Sequence, residues 1–413
     1  MRKYRVITAL RDDARKAIEN LNSADIVIGI PAYYSQNTIS HVIKQAAFGL
    51  EKYYPDCKSL IFVADGGSTD DTREEALNTV IDSFNIKKLV SIYRGIPGKG
   101  SAIRAIFEAA QFLQAKSVVL FDSDLRSIIP EWIKNMVEPT LNGYDYVAPF
   151  YKRYKFDATI TNTIAYNLTR ALYGKRIRQP IGGDFAFSNR MVKEYMEEDV
   201  WESEIAKFGV DIWLTTTAIV KNANICEARL GAKIHNAKDP SSDLSSMYRE
   251  VVGTIFKLSE KYEKFWKKIK GSKSVPIVGE DIGEEPEPFE IDIEGLIEYF
   301  KIGYNNFGVL WEKILDKNDF KRISSLAKID NSKNFILENS CWIRIVYSYM
   351  AAFHKTPRQE MKLLETMIPL YNARVASLVN ELDGKSSTEA EEYYEKQACE
   401  FEKMKDYLIK KWD

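Results

Sequence analysis

Four short apolar runs, each followed by a loop and a helix-period segment, constrain the fold of this chain more than any other feature. Asp25-Ile26-Val27-Ile28-Gly29-Ile30-Pro31-Ala32 reads as a buried strand running into a loop. Residues 37–53 follow with Ile39, Ile43, Ala46, Ala47 and Leu50 at helical spacing. Residues 59–64 form a second run, ending at Asp65-Gly66-Gly67-Ser68-Thr69-Asp70. There the glycines permit a tight turn, and Ser68 or Thr69 can cap the next helix. A third run, residues 88–93, leads through Gly95-Ile96-Pro97-Gly98-Lys99-Gly100 into a helix reaching residue 114. The fourth, residues 117–121, ends at Asp122-Ser123-Asp124. Continuous apolar strands between amphipathic helices predict an α/β fold with a mostly parallel sheet covered on both faces. In such sheets ligands collect at the carboxyl ends of the strands, and every candidate functional loop falls there.

Around this pattern the chain divides into four parts. Residues 1–24 are a polar, helix-prone leader, and 25–270 form the candidate catalytic domain, with a further strand at 146–150 and helices at 159–173, 190–198 and 210–222. The last strand of that domain is expected at 223–229. Residues 271–290, rich in Gly, Ser, Pro and acidic side chains, read as a linker. Residues 291–413 carry helix-period patterns throughout, such as Ile343, Val346, Tyr347, Met350 and Ala351, and predict an all-helical C-terminal domain.

Composition narrows the partners. A net charge of −1 gives no footprint for nucleic acid or an anionic membrane surface. No apolar stretch approaches the ~18 residues that span a bilayer. Four cysteines, at 57, 226, 341 and 399, lie far apart without CxxC spacing, which predicts free thiols in a reducing cytoplasm.

Three constellations carry chemistry. Asp122 and Asp124, spaced i, i+2 beyond a buried strand, offer hard oxygen ligands suited to Mg²⁺ or Mn²⁺. Of the three histidines, His41 and His354 fall in helical runs, whereas His235 lies in a polar loop after the last strand, where it is either a third ligand or a solvated side chain. Lys99 between two glycines at a helix start can hold a phosphate with help from backbone N–H groups. Arg153, with Lys152 and Lys155, can grip a carboxylate or stand as part of a solvated charge run. Asp184 after Gly182-Gly183 and Asp211 after Gly209-Val210 can accept hydrogen bonds from sugar hydroxyls; Asp211 is equally placed to cap the helix it opens.

The order of Pro31-Ala32-Tyr33, Asp65-Gly66-Gly67-Ser68-Thr69-Asp70, Gly98-Lys99-Gly100 and Asp122-Ser123-Asp124 resembles the GT-A glycosyltransferases, the Rossmann-like nucleotide-diphospho-sugar transferases. With residues 153–162, Gln179-Pro180-Ile181-Gly182-Gly183-Asp184 and His235, the chain is similar to the mannosylglycerate, glucosylglycerate and glucosyl-3-phosphoglycerate synthases. The resemblance covers residues 24–260 and, more loosely, the C-terminal helices. It implies a cytoplasmic, retaining hexosyltransferase that moves a sugar from GDP-mannose, GDP-glucose or UDP-glucose to the 2-hydroxyl of D-glycerate, giving a compatible solute. By the resemblance Asp124 and His235 ligate the metal, and Asp122 contacts it, its water or the donor ribose. Pro31, Ala32, Tyr33 and Asp65 border the nucleoside, Lys99 neutralises the diphosphate, and Asp184 or Asp211 binds the transferred sugar. Arg153 and Thr161 fall to the acceptor carboxylate, with Asp157 nearby in the acceptor site, and the helical domain is available for homodimerisation.

Two other substrate readings compete. A 3-phosphoglycerate acceptor would draw on Lys152, Lys155, Lys175, Arg176 and Arg178. A lipid or polysaccharide acceptor would use the basic stretch 261–273 around Phe265 and Trp266 as an anchor. A sugar-nucleotide-binding protein without catalysis is the non-enzymatic alternative.

Overall fold

The computed structural model of the chain describes residues 8–203, 205, 209–234, 244–282 and 285–413. In chain order its strands are β1 (Ile26–Ala32), β2 (Ser59–Asp65), β3 (Ile86–Ile92), β4 (Ser117–Leu120), β5 (Tyr146–Lys152), β6 (Lys175–Arg176), β7 (Phe185–Ser188), β8 (Ile225–Ala232), β9 (Lys273–Ser274) and β10 (Ile277–Val278). The chain gathers into two compact units.

The first unit comprises residues 1–152, 181–236 and 275–286. It holds an eight-stranded sheet in the order β10-β8-β5-β7-β4-β1-β2-β3. The pairs β1/β2, β2/β3, β1/β4, β5/β8 and β8/β10 are parallel, and β7 alone runs antiparallel, between β4 and β5. The α/β expectation with a mostly parallel sheet is met. Ile26, Ile28 and Ile30 on one face of β1 are fully buried with Val63, Val119 and Phe121 against the helices Ile39–Tyr53 and Pro130–Leu141. Each such aliphatic side chain contributes about 1.5–3 kcal/mol by leaving water. On the opposite face Gly29 lets the helix Lys99–Phe112 approach closely: a β-carbon at Gly29 would lie 2.5 Å from Ile106. That contact sets the helix on β1 with its first residue, Lys99, at the carboxyl end of the sheet.

The second unit comprises residues 153–180, 237–274 and 287–413. It is helical apart from the short β6/β9 pair. Its long helices Ile293–Ile314 and Glu360–Glu381 meet where Gly303 faces Pro369, at a distance that admits no β-carbon. Arg374, fully buried, donates to Leu337 O at 2.6 Å, to Glu381 at 2.8 Å and to Gln397 at 3.0 Å.

This division differs from the four-part sequence reading. Residues 159–173 form a helix that is buried all round, with Trp342 Nε1 donating to Thr163 O at 3.0 Å, so the segment belongs with the helical unit. The leader helix Asp12–Leu21 belongs to the first unit through Ala14 and Ile18, each 1% exposed. The expected linker is not a bare tether either, because β10 extends the large sheet beside β8.

Candidate functional site

The loops at the carboxyl end of the first unit's sheet are tied to one another by side chains. After β1, Tyr33 and Tyr34 stand 61% and 52% exposed, with Pro31 half-buried and Ala32 buried. Tyr34 N donates to Ser68 Oγ at 3.0 Å, and Ser35 Oγ meets Ser123 Oγ at 2.6 Å. Thr38 Oγ1 donates to Ser123 O at 2.8 Å, so the Asp-Ser-Asp turn is held from the β1 side. Asp65, expected at the nucleoside, is fully buried. Its carboxylate accepts from Gly67 N at 2.8 Å, Ser68 N at 2.9 Å and Ser68 Oγ at 2.6 Å. Its present work is to shape the loop that faces Tyr33.

At the end of β4, Asp122 is clamped between two ammonium groups. Lys99 Nζ donates to Asp122 Oδ1 and Lys233 Nζ to Asp122 Oδ2, both at 2.7 Å. Beneath it Asp184 is fully enclosed. Its Oδ1 accepts from Asp122 N at 2.8 Å, and its Oδ2 accepts from Lys233 at 2.7 Å and from the Tyr151 hydroxyl. The resemblance implies that Asp184 or Asp211 binds the donor sugar. The structure places Asp184 instead as a strut under the main chain of Asp122, with both oxygens engaged.

Asp211 opens the helix Val210–Val220, whose N-cap is Gly209, and makes no capping bond. Its carboxylate turns toward Lys99, with Oδ1 at 3.3 Å, and Oδ1 is buried without a hydrogen bond among the described residues. A buried acceptor left open beside a cation is suited to a ligand hydroxyl.

Burial acts to raise the pKa of Asp122, but the neighbouring Lys233 and Lys99 outweigh it and hold the carboxyl well below its ordinary value. Burial prevails at Asp211 and Asp184, whose carboxyls are pushed up despite Lys99 and Lys233 respectively. Lys99 is driven upward because Asp122 and Asp211 outweigh its burial.

Asp122 and Asp124 offer the hard carboxylate oxygens that a divalent ion prefers. Asp124 is half-buried two residues after Asp122, whose carboxylate already draws a cation, the Lys99 ammonium. His235, the expected third ligand, lies outside the described residues, and among the described residues no cluster of three metal-binding side chains occurs. Ile234, just before it in sequence, is anchored: Arg126 N donates to Ile234 O at 2.8 Å and Ile234 N to Ser127 Oγ at 2.9 Å.

The acceptor candidates lie in the second unit. Arg153 Nη1 donates to Asp157 Oδ2 at 2.6 Å and Nε to Gln179 Oε1 at 3.2 Å. Ala158, at φ 54°, turns the chain into the helix, and Thr161 begins its π-helical segment Thr161–Ala165, 4% exposed. Such wide turns recur at functional sites.

The sequence reading missed Lys233 and Tyr151. The signal for Lys233 was a lone charge closing the apolar strand Leu230-Gly231-Ala232, two residues before His235. Tyr151 sits inside β5 and looks like any core aromatic.

Comparison with known proteins agrees with the resemblance. Residues 65–256 match the family described as mannosylglycerate synthase, GT domain. The chain is similar to the glucosyl-3-phosphoglycerate synthase of Mycolicibacterium paratuberculosis, 25% identical over 248 residues, covering 56% of this chain and 71% of that protein. It is also similar to the mannosylglycerate synthase of Rhodothermus marinus, 27% identical over 168 residues, covering 38% of this chain and 41% of that one. Among solved structures, glucosyl-3-phosphoglycerate synthase from Mycobacterium tuberculosis, in complex with Mg²⁺ and UDP, aligns at 24% identity with a TM-score of 0.46, over 58% of this chain and 82% of that one.

Proposed function

We propose that this chain is a metal-dependent, retaining hexosyltransferase that moves a sugar from a nucleoside diphosphate sugar to the 2-hydroxyl of D-glycerate. The observation that carries the reading is the cluster at the β4 end, where Lys99 lies within 3.4 Å of Asp122 and Asp211 and Lys233 within 2.7 Å of Asp122. The similarity to glycerate- and phosphoglycerate-directed synthases supports the same assignment.

In this reading Asp124 and Asp122, with His235, hold the divalent ion, which stabilises the charge that grows on the departing diphosphate. Lys99 adds a second positive charge to that diphosphate. Asp211 Oδ1 accepts a hydroxyl of the transferred hexose, and Asp184 with Lys233 fixes the main chain from which Asp122 projects. Arg153 takes the acceptor carboxylate. The acceptor hydroxyl attacks on the face the diphosphate leaves, and its proton passes to the departing phosphate oxygen. This route asks no carboxylate to attack carbon, in keeping with an enclosed Asp184 and a clamped Asp122.

Three of the basic groups that a 3-phosphoglycerate acceptor would draw on already have partners. Arg178 donates twice to Glu391, at 2.7 and 2.8 Å, and Lys155 Nζ is held by Leu382 O and Lys385 O at 2.9 Å. Lys152 pairs with Asp281 at 3.4 Å. A lipid acceptor is disfavoured because Trp266, in the basic stretch offered as an anchor, is fully buried and donates to Ser259 O. Among the described residues no helix is long and apolar enough to cross a membrane.

The test is a screen of GDP-mannose, GDP-glucose and UDP-glucose against D-glycerate and 3-phosphoglycerate, with Mn²⁺ and with EDTA. Transfer to glycerate that EDTA abolishes, and that Asp124→Ala abolishes, is expected. Turnover indifferent to EDTA would remove the metal from the scheme, and no turnover with either acid would remove the acceptor class.

A further inference from the structure

Each oxygen of Asp122 accepts from an ammonium group at 2.7 Å, so a divalent ion that reaches Asp122 is repelled by two like charges on the same carboxylate unless one lysine withdraws. The two lysines are not equally held. Lys233 has its side chain 4% exposed and gives three short hydrogen bonds, to Asp122 and Asp184 at 2.7 Å and to Gly182 O at 2.8 Å. It also lies over the Tyr151 ring, 5.4 Å from its centroid. An ammonium has three N–H groups, and those three bonds use them all.

Lys99 is held differently. One bond is short, to Asp122 at 2.7 Å, while Gly183 O lies at 3.2 Å and Asp211 Oδ2 at 3.4 Å. Its side chain is 15% exposed, and it stands at the first position of its helix, directly after Gly98. Withdrawing Lys233 would strand Asp184, a fully buried carboxylate. Withdrawing Lys99 uncovers Asp122 and Asp211, whose side chains are 23% and 12% exposed, and leaves the strut beneath intact.

We propose that Lys99 is an exchangeable counter-cation: in the ligand-free protein it neutralises Asp122 and Asp211, and it transfers to the donor diphosphate as the divalent ion takes its place, while Lys233 stays. The inference rests on the transfer reading for the diphosphate and on the ligand-free geometry alone for the competition between Lys99 and the metal. It makes metal and nucleotide uptake interdependent, since the protein without nucleotide keeps its own cation in the way.

The first measurement is Mn²⁺ binding to the nucleotide-free protein, followed by electron paramagnetic resonance, for the wild type, Lys99→Met and Lys99→Arg. Removing one positive charge from about 3–4 Å should tighten Mn²⁺ binding at least roughly tenfold in Lys99→Met. Lys99→Arg, which keeps the charge, should bind like the wild type. Equal or weaker binding by Lys99→Met overturns the proposal. The second measurement is NMR of the ¹⁵N-labelled lysine ammonium groups on adding Mg²⁺ with GDP or UDP. The Lys99 signal should move or broaden while that of Lys233 holds, and a static Lys99 overturns the exchange. The Mn²⁺ comparison involves neither nucleotide nor acceptor. A failed sugar screen beside a tightened Lys99→Met would therefore remove the transfer reading and keep the counter-cation.

Discussion

Gly183 lies against Asp122 so closely that a β-carbon there would stand 2.1 Å from Asp122 Oδ2 and 3.0 Å from Lys233 Nζ. Its φ of +88° is also one that side chains with a β-carbon rarely adopt. The glycine thus serves two ends, a backbone turn and the space in which Asp122 is clamped.

Gly67 provides the control that separates these ends. It has nearly the same φ, +86°, but its β-carbon position has nothing within 4 Å. Both Gly67→Ala and Gly183→Ala should lose about 1–3 kcal/mol from backbone strain. Gly183→Ala should in addition displace Asp122 and abolish nucleotide binding in the presence of Mg²⁺. Chemical denaturation and titration calorimetry with UDP or GDP read the two effects, and retained nucleotide binding by Gly183→Ala would show that the clamp is dispensable.

Lys233→Met removes the ammonium that pairs with both Asp122 and Asp184. With Asp184 fully buried, the loss should cost about 3–5 kcal/mol of stability. The double variant Lys233→Met/Asp184→Asn, which also removes the stranded carboxylate, should recover much of it. A single variant as stable as the wild type in a urea melt would remove Lys233 from its structural part.

Arg153→Ala should raise the KM for glycerate at least tenfold, since charged hydrogen bonds contribute about 1.5–3 kcal/mol, and leave the donor KM unchanged. Steady-state kinetics with each substrate varied in turn gives the split. A change confined to the donor would move Arg153 out of the acceptor site.

The helical unit should grow more stable as pH rises from about 8 toward 10.5. Burial draws the Lys405 ammonium, which donates to Trp266 O and Ile269 O, down to about 8. Its folded form therefore binds fewer protons than its unfolded form across that window, and stability climbs with pH there. Urea denaturation at pH 7.5 and 9.5 should show a gain in the wild type that is smaller in Lys405→Met. Equal pH slopes in the two would contradict the assignment.

The sheet was legible because its strands are continuous β-branched runs whose ends carry glycine and aspartate. Register then did the rest: Ala32 pairs with Asp65, and Gly29 with Leu120, so the loops after β1, β2 and β4 share one edge. β7 was not legible, since four residues after a double glycine carry no period that separates strand from loop. Asp184 and Asp211 looked alike in sequence, each shortly after a glycine. One proved enclosed and the other open on one oxygen, a difference set by Tyr151 and Lys233 arriving from strands far away in sequence. The division into units was hidden for a related reason. The helix spanning residues 159–173 follows β5 directly and shows no linker, yet its all-round burial places it with helices more than a hundred residues downstream.

Because the chain passes between the two units five times, at 152/153, 180/181, 236/237, 274/275 and 286/287, no single cut yields either one whole. Ending the chain before residue 287 would keep the first unit's sheet but leave the helix of residues 159–173 without the partners that cover it. Ending it before 275 would also strip β10 from the sheet edge. The helical unit therefore cannot be added or removed whole by a single change at one terminus. A shortened chain holding the first unit alone would have to rebuild two internal crossings.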